Sequence, residues 1–229
     1  MRTQWPRGML VRVMSEVIEQ VVCAEVFAPW ADAQRTVEAL ALEPLMDPRA
    51  LRHGPGLLAR EEAARIARWF GGPSYAPAHL IADAYEALER ETRALHAVVR
   101  ATLGVRVHYT HGSTDPYDNA EELCADLRAT RTMMLRTAAL DTPHPRLDSS
   151  RGGTLDRLRV VHDVFGHAAL GLGFDLQSEY ATWLQCRTLF SPRARGAAFT
   201  ELVGAVTTFV ATGAKPTLRA DLPPEDLLA

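Results

Sequence analysis

The sequence predicts a mainly α-helical single domain with one small β element. Three observations carry that reading. Apolar residues recur at helical spacing through most of the 229 residues; only VRVHYT at 105–110 alternates like a strand, with TMMLRT at 132–137 as a short candidate partner; and 47% hydrophobic against 23% charged residues is the balance of a globular core. A chain of this length buries about 70% of the surface its unfolded form exposes, so it needs no disulfide to hold a core. The expected organisation is a loose tail over 1–10 and one catalytic domain over 11–229.

The elements follow in order. Residues 11–28 carry Val13, Val17, Val21 and Val22 at helical spacing, and ADAQRTVEALAL continues as a second short helix. GLLAREEAARIARWF reads as an amphipathic helix stopped by Gly71, Gly72 and Pro73. PAHLIADAYEALERETRALHAVVRATLG is the longest periodic stretch, with Pro77 at its start and Gly104 just past its end. After the strand, the turn-rich HGSTDPYDN leads into the helix AEELCADLRATR. Beyond the loop DTPHPRLDSSRGG come TLDRLRVVHDVFGHAAL, SEYATWLQCRTLF and PRARGAAFTELVGAVTTFVATG, the segments with chemistry in them.

Composition excludes several function classes. A formal net charge of -3 provides no basic field for nucleic acid or an anionic membrane. The uncharged run near the C-terminus is interrupted by Glu201, so no membrane span is expected. Cys23, Cys124 and Cys186 are odd in number and far apart, which reads as reduced core thiols in a cytoplasmic protein. A homo-oligomer is compatible with all of this.

VVHDVFGHAALG, at 160–171, sets two histidines five apart in an apolar run. Leu158, Val161, His162 and Phe165 share a helical face, so His162 is expected to be buried. On a regular helix His167 would lie about 140° further round, and both could meet one ion only if the helix widens into a π-bulge or ends near Gly166. Glu201 is the only charged residue over 196–214, and Ser191-Pro192 places it well inside a helix. A carboxylate there needs a partner: a divalent cation shared with the two histidines, or an arginine such as Arg136 or Arg159. His162, His167 and Glu201 are the proposed metal ligands, and two histidines with one carboxylate form the facial triad of non-haem iron(II) oxygenases. The HExxH of the common zinc proteases is absent.

HDVFGH, FTELVG and FDLQSEYATWL together resemble the biopterin-dependent aromatic amino acid hydroxylases, over residues 155 to 210. The resemblance implies a catalytic-domain-like helical core of that family, with iron on His162, His167 and Glu201. It also implies catalytic acidic residues at Asp163 and Glu179, Asp163 lying near a reduced pterin that supplies two electrons. TLDRLRVV stands where the family has a Thr-Pro-Glu-Pro-Asp segment. The layout AYEALERET, DPYDNAEEL, HDVFGH and TE also looks like a group of uncharacterised bacterial and phage proteins.

The expected function is therefore oxidation of a small, aromatic or amino-acid-like substrate with O2, on Fe(II). The rivals are a zinc or manganese hydrolase on the same residues, with Glu179 or Asp163 as base, and a non-catalytic helical binding protein. Further expected contacts are Glu179 as acceptor for a ligand histidine, His111, Asp115 and Tyr117 on substrate, and Arg131 and Arg136 on a carboxylate. Phe165, Phe174, Trp183 and Phe199 are candidates to line the pocket.

Overall fold

A computed structural model describes residues 58–228. The expected tail, the helices over 11–42 and Cys23 lie outside the described residues.

Helix α1 (Arg60–Gly71) stops at Gly72, and α2 (Ala78–Ala101) begins after Pro77, whose missing N–H costs nothing at a helix start. One face of α2 is apolar, with Ile81, Ala84, Tyr85, Leu88, Leu95 and Val99 buried. Strands β1 (Arg106–Thr110) and β2 (Thr132–Arg136) pair in parallel, Arg106 opposite Thr132 and Thr110 opposite Arg136. Parallel pairing demands a crossover, and α3 (Ala120–Thr130) provides it. Asn119 caps α3 by accepting from the Glu122 N–H at 2.9 Å, and Arg131 ends it in the left-handed region at φ 54°. Leu123, Cys124 and Leu127 of α3, with Met133 and Leu135 of β2, bury this small unit into the main core.

Three helical segments complete the chain, and two of them change pitch midway. Helix α4 (Thr154–His162) runs directly into a π-helical turn over Asp163–Ala168. Helix α5 (Leu176–Cys186) is capped by Asp175, which accepts from the Gln177 and Ser178 N–H groups. Helix α6 (Pro192–Phe199), capped by Ser191, passes through a second π-helical turn, Thr200–Gly204, into α7 (Ala205–Thr212). Buried Glu91 of α2 accepts from both the N–H and the hydroxyl of Ser191, at 2.9 and 2.6 Å, tying α2 to the start of α6.

Packing places α2 against α4 and α6, α1 against α7, and α5 against both π turns. Each π turn carries a glycine where its neighbour comes closest. A Cβ on Gly166 would sit 2.0 Å from Thr182 Cγ2 of α5, and one on Gly204 would sit 2.3 Å from Phe70 Cδ2 of α1. Gly166, near which the helix was expected to widen or end, makes space for α5. Cys124 and Cys186 are both buried in the core. No helix of the described residues is long and apolar enough to cross a membrane.

Candidate metal centre

The π turn resolves the spacing problem of the two histidines. Its hydrogen bonds close over five residues in place of four, so positions five apart come onto one side. His162, the last residue of α4, and His167, inside the π turn, meet with ring centroids 4.7 Å apart and planes at 81°. Both are buried, His162 to 7% exposure and His167 to 1%.

Neighbouring acceptors assign the tautomers. His167 Nδ1 lies 3.1 Å from the Leu172 carbonyl oxygen, and His162 Nδ1 lies 3.2 Å from Asp163 Oδ1. A carbonyl and a carboxylate oxygen accept, so each Nδ1 carries a proton, and each Nε2 presents a lone pair whenever its ring is neutral. Those Nε2 atoms face the two oxygens of Glu179, His162 at 3.4 Å and His167 at 3.5 Å. His162 Nε2 is buried and makes no hydrogen bond. Two lone pairs and a carboxylate turned toward each other repel unless a proton or a metal ion lies between them. Burial alone would hold the His167 imidazolium below its ordinary pKa, yet the Glu179 hydrogen bond and charge, with Asp163 adding, raise it.

The separations also fit coordination. Bonds of about 2.1 Å to one ion, opened to 90–110°, leave ligand atoms about 3.0–3.5 Å apart. Metal-binding histidines typically donate their other N–H to a carboxylate or a carbonyl, the partners found here. His162, Asp163 and His167 also form a group whose ligand atoms lie within 4.8 Å of one another. Phe174 packs its edge on His167 with centroids 4.7 Å apart, and at 38% exposure it stands at the rim of the site.

Glu201 sits in the second π turn with partners of its own. Its Oε1 accepts from the Tyr85 hydroxyl at 2.5 Å and faces His144 Nε2 at 3.1 Å. His144 Nδ1 accepts from the Arg146 and Leu147 N–H groups at 3.1 and 2.9 Å, so its proton is on Nε2, which donates to the Arg219 carbonyl at 3.4 Å and lies beside the Glu201 carboxylate. Tyr85 stacks on His144 with centroids 5.7 Å apart and planes at 20°. Burial, then the Glu201 charge, push the Tyr85 hydroxyl well above its usual pKa. Among the described residues, no histidine–carboxylate contact of 4.0 Å or less joins Glu201 to His162 or His167.

The arginine partner considered for Glu201 is not what the fold provides. Arg136 makes two bonds to Asp141, at 2.9 and 3.2 Å, and Arg159 reaches the same carboxylate at 3.6 Å. Arg136 is thereby also unavailable to clamp a substrate, and Arg131 serves as the α3 C-cap. Tyr117 is buried, donating to Asp126 and accepting from the Met134 N–H, both at 2.9 Å, which makes it a brace between α3 and β2. His111 and Asp115 are exposed in the preceding loop. Phe165, Trp183 and Phe199 are fully buried core, Trp183 and Phe199 edge to face at 5.3 Å; of the aromatic candidates, Phe174 forms a ring contact with His167.

Sequence reasoning missed Tyr85 and His144. Tyr85 lies on the apolar stripe of α2 and reads as core, and its hydroxyl, which needs a partner once buried, was the one available signal. His144 stands between two prolines in a loop, with no periodicity to mark it. Comparison of the chain with protein-family models, curated proteins and solved structures finds no match in any of the three.

Proposed function

We propose that the protein is a mononuclear non-haem iron(II) oxygenase that oxidises a small aromatic or amino-acid-like molecule with O2, its metal held by His162, His167 and a carboxylate. The observation that carries this is the convergence of two buried Nε2 lone pairs on one carboxylate, with His162 Nε2 lacking any hydrogen bond. Two acids compete for the third position. Glu179 has the contacts. The resemblance to the aromatic amino acid hydroxylases assigns Glu201, whose Oε1 accepts from the Tyr85 hydroxyl and lies 3.1 Å from His144 Nε2, in the manner of a carboxylate held for use through its other oxygen.

Bound there, iron(II) supplies dioxygen activation, with electrons from a reduced cosubstrate such as a pterin. The protein's own part is to hold and to exclude water. Asp163 and the Leu172 carbonyl fix the two imidazoles through Nδ1. Phe174 covers the outer face of His167 and offers an aromatic edge to a flat substrate.

A zinc or manganese hydrolase is the second reading, favoured by the Glu179 carboxylate that faces both rings at 3.4 and 3.5 Å. Metal analysis of protein purified without added metal, then anaerobic iron loading and an oxygen-consumption assay, separates the two. Activity that persists without oxygen rejects the oxygenase. Metal content that stays at wild-type level in both Glu179→Gln and His162→Ala rejects the metal centre.

A further inference from the structure

An open surface groove between α2 and α4, with a volume of about 590 Å³, is lined by Arg93, His96, Ala97, Arg100, Ala101 and Arg157. It shares no residue with the histidine pair or with Glu201. The five α2 residues lie at offsets of three, four, seven and eight, which is one stripe of a helix. Arg157 faces them from α4, which packs on α2.

The charge in this groove is not neutralised from within. Arg93 pairs with Glu89 at 2.6 Å on the rim. Arg100 and Arg157 have no side-chain hydrogen bond or ion pair among the described residues. The neighbouring acid Asp156 is fully buried and already accepts from Thr137 Oγ1, the Ala138 N–H and the Gly152 N–H at 2.7–2.8 Å. A fourth cation, Arg151, lies 5.7 Å over the ring of Tyr109. His96 Nε2 is buried without any hydrogen-bond partner. The favourable effect of a cation at a helix C-terminus accounts for Arg100 in the last turn of α2, but not for Arg93 two turns earlier nor for Arg157 on another helix. In a chain of net charge -3, these guanidinium groups mark a place for an anion.

We propose that this groove binds a small phosphorylated molecule, its phosphate or diphosphate group lying between Arg100, Arg157 and His96. A carboxylate monoanion would leave one of the two unpaired guanidinium groups uncompensated, whereas a phosphate dianion matches both. Its several oxygens can take the guanidinium forks and also an N–H at the orphaned His96 Nε2. The methyl groups of Ala97 and Ala101 leave room beside the phosphate for the rest of the ligand.

Calorimetric titration of the full chain with pyrophosphate at low salt tests this, with His96 ring resonances followed by NMR. Saturable one-to-one binding with a Kd on the order of 0.1–1 mM is expected, with the His96 ring signals moving on saturation. Arg100→Gln and Arg157→Gln, on different helices, each weaken binding about 10-fold through loss of a charge-assisted contact. Arg193→Gln is the control: Arg193 pairs with Asp83 outside the groove and its loss should leave binding unchanged. Binding that does not saturate, that falls equally in the Arg193→Gln control, or that leaves the His96 signals in place overturns the proposal. So does binding seen only with a single-stranded oligonucleotide or with anionic phosphatidylglycerol vesicles, since either would make the groove part of a polyanion surface.

Discussion

Gly166→Ala is the most direct probe of how packing builds the histidine pair. The added Cβ would stand 2.0 Å from Thr182 Cγ2, 3.2 Å from Thr182 Cβ and 3.3 Å from Cys186 Sγ, where carbon atoms prefer about 3.5–4.0 Å. Thr182 and Cys186 are both fully buried, so neither has solvent to move into. Overpacking of this kind costs about 3 kcal/mol, and alanine's better helix propensity returns about 1 kcal/mol, leaving a net loss of about 2 kcal/mol. For a chain of this size that is a fall in Tm of about 4–8 °C. The relieving change is Thr182→Ala, which removes the clashing methyl and a hydroxyl that has no hydrogen bond, at about 1 kcal/mol alone. Urea unfolding of both single variants and the double variant closes the cycle. The double variant should recover about 1–2 kcal/mol relative to the sum of the two. Because the π turn carries His167, Gly166→Ala should also lower metal content, and the double variant should restore it. A Gly166→Ala protein within about 0.5 kcal/mol of wild type, or a Thr182→Ala change that relieves nothing, would refute the account of the turn.

Further outcomes are open to measurement. His162→Ala should reduce metal affinity by about 10-fold or more, read by metal analysis after dialysis, and Glu179→Gln compared with Glu201→Gln identifies the third ligand by which one empties the site. Tyr85→Phe should cost about 1–2 kcal/mol in chemical unfolding, since it removes a buried hydrogen bond to Glu201 and leaves that carboxylate with His144 alone. His96 is held down to about 4 by burial and then by the charges of Arg157 and Arg100. The unfolded chain therefore takes up a proton near pH 6.5 that the folded chain refuses until about pH 4, and stability should fall as pH drops through that window. Discounted for partial exposure, the loss is about 2 kcal/mol, and His96→Gln should flatten it. At Asp141, burial opposes the charge but the hydrogen bonds from Arg136 and Lys215 outweigh it and bring the carboxyl to about 2. Its stabilisation is present above its unfolded value and is lost as pH falls toward 2, a step that should be missing from the acid unfolding of Asp141→Asn.

Much of the element map was legible because it rests on local physics. Pro77, Asn119, Asp175 and Ser191 mark helix starts, and Gly72 and Gly213 mark ends, through groups that act within one turn of the chain. VRVHYT was readable as a strand by alternation, with TMMLRT as its candidate partner. Their parallel sense follows from the helix that intervenes. His162 on a buried face was legible from spacing, which left a π-bulge or a helix end near Gly166 as the two ways to bring His167 to the same side. The second π turn at Thr200–Gly204 left no such mark, because it holds one charged residue and so breaks no visible periodicity.

The sequence by itself determined the helical character of the chain, its small β unit, and the burial of a histidine pair beside an acid. Tertiary structure decided which acid faces that pair and what holds the other. Glu179 and Glu201 are both helical carboxylates near the same segments, and nothing local distinguishes them. Only the docking of α5 on the first π turn turns Glu179 toward His162 and His167, and only the approach of α2 and the 141–153 loop brings Tyr85 and His144 to Glu201. These contacts join residues from different helices and loops, and they depend on how faces stack, which is a property of the whole core.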